Sequence, residues 1–266
     1  KPMDEKNKEQ NLSQQESLEE GVQHHRQAAQ EGDARAQYEL ARTYYQYNEF
    51  AKSFYWWQKS AENGLNAAWV RLAIQYAYGQ GVEKDEGRAL DYIWKAVKGD
   101  PADANALCHL GMFYEQGIGT DASMEQAMTC YRQAAEMGDP VAYFALGMCY
   151  FFGKGVPEDT ETALSWVGKA AELDYPEAQY FLGLQHFLGE RVDRDLYLSI
   201  RYLREGAAGG SVDAQQLLPL VEKEVNVERQ MRGINEIQRM LDEYEACMTR
   251  AAMEMDDMDM DDDEDE

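Results

Sequence analysis

Two kinds of amphipathic segment alternate along the chain. The first kind opens on a small residue and carries Leu four places on: Ala36/Leu40, Ala68/Leu72, Ala106/Leu110, Ala142/Leu146, Ala178/Leu182 and Ala214/Leu218, with intervals of 32, 38, 36, 36 and 36 residues between the alanines. A second small residue follows the leucine (Ala41, Ala73, Gly111, Gly147, Gly183), and Tyr44, Tyr76, Tyr114, Tyr150 and, out of pattern, His186 stand eight residues after each alanine. Spacings of three, four and eight place these residues on one face of a helix. Val141 to Phe152 is apolar nearly all round, whereas a surface helix needs only one apolar stripe, so a second face of that stretch calls for an explanation.

A glycine turn closes each of these segments from the second copy on: Gly-Gln-Gly-Val at Gly79, Gly-Ile-Gly-Thr at Gly117, Gly-Lys-Gly-Val at Gly153 and the eroded Gly-Glu-Arg-Val at Gly189. The second kind of segment then carries Ala89, Ala127, Ala163 or Ser199, followed three and four places on by Tyr92/Ile93, Cys130/Tyr131, Trp166/Val167 or Tyr202/Leu203. It ends in Lys95-Ala96, Ala134-Ala135, Lys169-Ala170-Ala171 or Ala207-Ala208 and a Gly or Asp linker. The pattern predicts helix hairpins. Small residues let paired helices approach, large ones fill the space between them, and glycine takes up the turn conformations that other residues reach only with strain. One hairpin cannot bury both its faces, and stacked copies share a continuous core.

The first copy departs from the rest. It passes from Ala36 to Ser53 in 17 residues where the others take 21, and it lacks the paired glycines. The second copy gains two residues at its exit, Gly99 to Ala104. Ser13 to Glu31 reads as an unpaired capping helix, with Ala28-Ala29 in the Lys-Ala-Ala place. The expected organisation is a disordered N-terminus over 1–12, a solenoid over 13–220, a C-terminal helix over 221–251 and a disordered acidic tail over 252–266. In the C-terminal helix Val227, Met231, Ile234, Ile237, Leu241, Tyr244, Met248 and Ala251 recur at spacings of three and four. That seam either packs on the last repeat or, being nearly heptad, pairs with another chain, and dimerisation through 227–251 is one expectation.

Charge narrows the class of partner. The net charge is −25 over 266 residues, with ten acids and no base in the last fifteen residues. The rest of the chain is still at −15, which repels nucleic-acid phosphate and attracts basic protein. No apolar run is long enough to span a membrane. Cys108, Cys130, Cys149 and Cys247 are too few and too unevenly spaced for a disulfide scaffold, so buried free thiols and a cytoplasmic location are expected. The alternative is a periplasmic or secreted chain that has lost a signal peptide. His24, His25, His109 and His186 have no partners at zinc spacing. No nucleophile elbow, metalloprotease helix or phosphate loop occurs, so no catalytic residue, cofactor or metal ligand is expected. The acidic tail has neither the glycine nor the spacing of a calcium loop.

The recurring Ala-x-x-x-Leu-Gly-x-x-Tyr … Gly-x-Gly-Val … Ala … Lys-Ala-Ala pattern resembles the Sel1-like repeat, a relative of the tetratricopeptide repeat, over roughly Ala28 to Leu218. The resemblance implies an all-α, right-handed α-solenoid of about five helix-turn-helix repeats, with an N-terminal capping helix and a long C-terminal helix. It also implies a non-catalytic scaffold or adaptor for protein–protein interaction, with the first helix of each hairpin lining a concave face. By that resemblance, the inner positions fall two, six, nine and ten residues after the small alanine. They are Tyr38, Arg42, Tyr45 and Gln46; Val70, Ile74, Ala77 and Tyr78; Cys108, Met112, Glu115 and Gln116; Phe144, Met148, Phe151 and Phe152; and Tyr180, Leu184, Phe187 and Leu188.

The last two sets are apolar throughout, and a contiguous apolar surface favours association. Candidate protein-binding residues are therefore Tyr38, Arg42, Tyr45, Tyr78, Phe144, Met148, Phe151, Phe152, Tyr180, Leu184, Phe187 and Leu188. Under the competing reading Phe144, Met148, Tyr180 and Leu184 are core between repeats, and the seam of the C-terminal helix covers Phe151, Phe152, Phe187 and Leu188. Only Arg42 suits a clamp for a terminal carboxylate. The functional alternative is an inhibitor or immunity protein that neutralises a basic toxin or effector through its acidic surface and tail.

Overall fold

A computed structural model describes residues 17–260, with side chains described over 17–243. Among the described residues the secondary structure is helical throughout, with no strand. Helix α1 spans 17–30, and eleven more follow: α2 (Ala34–Gln46), α3 (Phe50–Glu62), α4 (Ala67–Tyr78), α5 (Glu86–Gly99), α6 (Ala104–Gln116), α7 (Met124–Glu136), α8 (Pro140–Phe152), α9 (Thr160–Glu172), α10 (Pro176–Leu188), α11 (Leu196–Ala208) and α12 (Val212–Met260). Successive pairs are the expected hairpins: α2/α3, α4/α5, α6/α7, α8/α9 and α10/α11. The chain divides into two compact units, the first ending at Tyr175 and the second beginning at Pro176.

Seven of the helix starts have a side-chain cap. The acidic linkers, read in the sequence only as linkers, are caps. Asp33, Asp85, Asp103, Asp139, Asp159 and Asp195, with Ser123, each accept a hydrogen bond from the backbone N–H three residues on, as Asp139 does from Ala142 at 2.8 Å. A cap of this kind satisfies a donor that has no partner inside the helix. Helices α4, α6 and α8 stop at Gly79, Gly117 and Gly153, with φ of 68°, 72° and 65°, a left-handed conformation that side chains disfavour.

The small residues do close the hairpins. A Cβ added at Gly111 would lie 2.6 Å from the Tyr131 ring and 3.2 Å from the Ala127 carbonyl, so α6 and α7 meet backbone to side chain there. The second glycine of each turn has a further duty. At Gly119 an added Cβ would stand 2.9 Å from the carbonyl carbon of Glu86, at the start of the preceding repeat's second helix. At Gly81 it would stand 2.6 Å from the Ala51 N, again one repeat back. These glycines set the stacking between hairpins as well as the turn within one.

In the first unit the core passes from hairpin to hairpin without a break. Ala41, Trp57, Ala61 and Leu72 join the first and second hairpins. Val70, Ile93, Leu110 and Phe113 join the second and third. Leu107, Met128, Tyr131, Leu146 and Cys149 join the third and fourth. Helix α1 contributes Val22 and Ala29 against Ala36 and Leu40, the part expected of the capping helix.

In the second unit α12 packs its first turns on α11, with Val221 and Val225 against Leu196 and Leu203. The helix is continuous from Val212 to Met260, so the boundaries expected at 220/221 and 251/252 fall inside one element. The expected disorder of 1–12, and that of the tail from 261 on, lies outside the described residues.

Candidate functional site: the first-helix face

Within the first unit the first helices approach one another directly, α4 on α6 and α6 on α8. They form one continuous face that carries the inner positions. The structure sorts those positions by depth. Position two is buried at Val70 and Cys108, each 1% exposed, and half-buried at Tyr38 and Phe144. Position nine is interior at Ala77 and Phe151, 2% and 6% exposed, and half-buried at Tyr45 and Glu115. Phe151 is therefore a packing residue and not a solvent-facing one. Position six is half-buried at Ile74, Met112 and Met148, and exposed at Arg42. Position ten is the exposed row, with Gln46, Tyr78, Gln116 and Phe152, and Tyr78 and Phe152 are 53% and 58% exposed.

Polar contacts tie this face together along the array. Tyr38 Oη accepts from Arg71 Nε at 3.0 Å, Tyr45 Oη donates to Gln80 Oε1 at 2.9 Å, and Tyr78 Oη donates to Gln116 Oε1 at 3.2 Å. Arg42 pairs within its own helix with Glu39 at 2.9 Å. Glu115 receives two donors, Tyr131 Oη at 2.9 Å and Lys154 Nζ at 2.8 Å, so its carboxylate bridges the third and fourth hairpins. Phe144 meets Tyr175 in a tilted pair at 5.5 Å, and Phe152 meets Phe151 edge-on at 5.1 Å.

The second unit is sorted by α12. Tyr180 and Phe187 pack against the cluster that contains Leu203, Val221 and Val225. The C-terminal helix thus packs on Phe187 with its first turns, at Val221 and Val225, and not with the seam from Val227 that the competing sequence reading gave that part. Leu184 is half-buried, and Leu188 remains 45% exposed. The described part of the seam is open: Val227, Met231, Ile234, Ile237 and Leu241 are 49–60% exposed, so these residues are not packed on the last repeat.

Cys108, Cys130, Cys149 and His109 behave as core groups, while His24 is exposed. Burial pushes the Cys130 and Cys149 thiols up to about 11. Burial, reinforced by Asp139, whose Oδ1 accepts from the Sγ at 3.3 Å, raises Cys108 further. A thiol held protonated is a poor nucleophile. Desolvation, with the nearby Arg71 cation, lowers His109 to about 4, so it is neutral at physiological pH. His186, standing in for the repeat tyrosine, stacks on Tyr202 at 6.1 Å. Among the described residues no group of three or more His, Cys, Asp or Glu could hold a metal ion. No helix there is long and apolar enough to cross a membrane.

One feature of the second helices escaped the sequence reading. Trp69 stacks on Tyr92 at 5.2 Å and Tyr92 on Tyr76 at 5.3 Å, with Lys95 Nζ 4.9 Å and 4.6 Å from the Trp69 and Tyr92 ring centres. Two repeats on, Tyr143 stacks on Trp166 at 5.6 Å beneath Lys169, 4.2 Å from the Trp166 centre. The signal was an aromatic residue with Lys three places on in the second helix, Tyr92/Lys95 and Trp166/Lys169.

Helix hairpins closed by small residues, joined within the first unit through glycine turns and a shared core, define a helical repeat protein of the solenoid class. The family model of the Sel1 repeat matches residues 12–33, 34–65, 70–99, 104–139, 140–175 and 176–211, and the chain belongs to that family. The sixth match comes from the N-terminal segment, read in the sequence as a capping half-repeat. Among solved structures the chain is similar to a Sel1 repeat protein from Oxalobacter formigenes, at 28% identity and a TM-score of 0.56, over 75% of this chain and 58% of that one. It is also similar to a protective antigen of uropathogenic Escherichia coli strains with the same repeat fold, at 30% identity and a TM-score of 0.54, over 74% and 43% of the two chains. A curated relative is the mouse DAP3-binding cell death enhancer 1, 34% identical over 85 residues, which are 32% of this chain and 16% of the mouse protein. The chain thus matches a small part of that relative and somewhat over half of the Oxalobacter structure.

Proposed function

We propose that this chain is a non-catalytic scaffold that holds a protein partner on the first-helix face of its first unit. The observation that carries this reading is the exposed position-ten row, where Tyr78 and Phe152 stand more than half exposed on helices otherwise buried in the array. They flank the half-buried Ile74, Met112 and Met148. Rigid aromatics over an apolar floor are the usual anchors of an interface. With a net charge of −25 the expected partner is basic, reached faster at low salt. An inhibitor of a basic toxin or effector is the version of this reading in which the tail carries the affinity.

The test is a Tyr78→Asp, Phe152→Asp double variant. Its thermal midpoint and helical circular dichroism should match the parent, while the affinity for the partner, identified by cross-linking and mass spectrometry from native cells, should fall at least about tenfold. An unchanged affinity rejects this face. If deleting 252–266 alone abolishes binding, the tail-driven inhibitor is supported instead.

A second copy of this chain is the proposed partner of the 227–251 helix. Its described seam residues are about half exposed, and residues 227–243 carry four acids and three bases, a net −1 in a chain at −25. The one stretch of long apolar exposure is therefore also one where like-charge repulsion between copies is small. Sedimentation equilibrium of the full chain should give a dimer at micromolar concentration, and Ile234→Asp with Ile237→Asp a monomer. A parent protein that stays monomeric at about 100 μM, weaker than a specific dimer requires, rejects the pairing.

A further inference from the structure

The groove between the second and third hairpins differs from its counterpart one repeat on in a way that specifies a ligand. In the fourth hairpin the first-helix Tyr143 and the second-helix Trp166 are stacked, with Lys169 over them, and the adjoining groove of ≈380 Å³ is edged by the charged Arg132, Glu136 and Lys169. The same three positions in the third hairpin are Leu107, Cys130 and Gln133. Both rings and the cation are missing. The place of Arg132 is taken by Trp94, and the wall is completed by Val97, Leu110 and Tyr114. The result is a mostly apolar groove of ≈320 Å³ with Glu125 at its rim.

We propose that this groove is a socket for an aromatic side chain of a partner helix that carries Lys or Arg three or four residues from the ring. The missing parts of the stack name the occupant. A Trp or Tyr ring restores contact with Trp94 and Tyr114, in the offset or edge-on geometry that aromatic pairs prefer. A cation one turn from the ring, on the side of Glu125, meets the Glu125 carboxylate at the rim, on a protein whose net charge of −25 favours a basic segment. The sibling repeats already present this pattern within one helix, as Tyr92/Lys95 and Trp166/Lys169. The socket is walled by α5, α6 and α7, away from the Tyr78 and Phe152 row, so it would grip a second segment of a partner or a second partner.

The probe is a capped fifteen-residue alanine-based helical peptide with one Trp and a Lys three residues after it. Titrated into the full chain, it should give saturable amide shifts at 107, 130 and 133 with a dissociation constant of a few hundred micromolar, the scale of one anchored ring plus one ion contact. Replacing its Trp by Ala should weaken binding at least about tenfold, and replacing its Lys by Glu about threefold or more. The protein variant Leu107→Tyr, Cys130→Trp, Gln133→Lys installs the fourth hairpin's stack and should abolish binding while keeping the helical spectrum. Glu125→Lys, an exposed change that leaves the packing alone, should weaken binding about threefold even if the triple variant fails to fold. The socket is refuted if no saturable shifts appear by about 5 mM peptide, far beyond a single-anchor affinity. It is refuted as well if the triple variant folds and binds equally, or if Glu125→Lys changes nothing. Free indole binding as tightly as the peptide would overturn the helix and make the groove a small-molecule site.

Discussion

Replacing Gly119 by Ala should cost about 3 kcal/mol and lower the thermal midpoint by roughly 10 °C, more than any exposed substitution in the chain. Two costs add at this position. The backbone sits at φ 70°, where an L side chain is strained by about 1–2 kcal/mol. The new methyl also runs into the Glu86 carbonyl and lies 3.0 Å from the Leu90 Cβ. The first of these obstacles is backbone and cannot rotate away, so the third hairpin must shift off the second. Gly138→Ala separates the two costs: its φ is 82°, but nothing lies within 4 Å of the added Cβ. It should lose only about 1 kcal/mol. Thermal melts of the three proteins decide the matter. Equal losses at both glycines would show that the turn alone matters and that stacking does not depend on the close approach.

Phe151→Asp should disrupt the fourth hairpin, at a cost of about 4 kcal/mol, whereas its neighbour Phe152→Asp should stay within about 1 kcal/mol of the parent. The two residues are adjacent in sequence and identical in type, but they are 6% and 58% exposed. The buried site loses an aromatic side chain and gains a carboxylate with no partner; the exposed one gains a solvated charge. Denaturant melts measure the difference, and hydrogen exchange at α8 and α9 should locate the loss. If Phe151→Asp keeps its stability, the side chain is not packed as described and the face is wider than the position-ten row.

This pair shows why the candidate site was only partly legible. Resemblance assigns four helix positions to the inner face, and the competing sequence reading sets positions two and six apart from nine and ten without separating nine from ten. A helix turns through about 100° per residue, so positions nine and ten point in different directions. Which of them meets solvent depends on how far each hairpin is rotated against the last. That rotation is set by contacts such as Gly119 on Glu86, between residues more than thirty apart. Position ten could be named only after the stacking was known. The coverage of Phe187 by the first turns of α12, and not by its apolar seam, is the same kind of fact.

What the sequence by itself determined is everything that repeats. The alanine, leucine and tyrosine frame fixed the helices and their buried stripes, because a spacing of three and four leaves one face for the core. The glycine pairs fixed the turns, because their φ is closed to other residues. The recurrence itself fixed the solenoid. The tertiary structure decided what differs from copy to copy: that Phe151 is core while Phe152 is surface, that the seam from Val227 to Leu241 is uncovered, and that Leu107, Cys130 and Gln133 leave a groove where a sibling repeat has a stacked pair of rings under a lysine. The reason is physical. A local pattern reports which residues leave water within one helix, but the exposure left after neighbouring hairpins pack depends on residues distant in the chain.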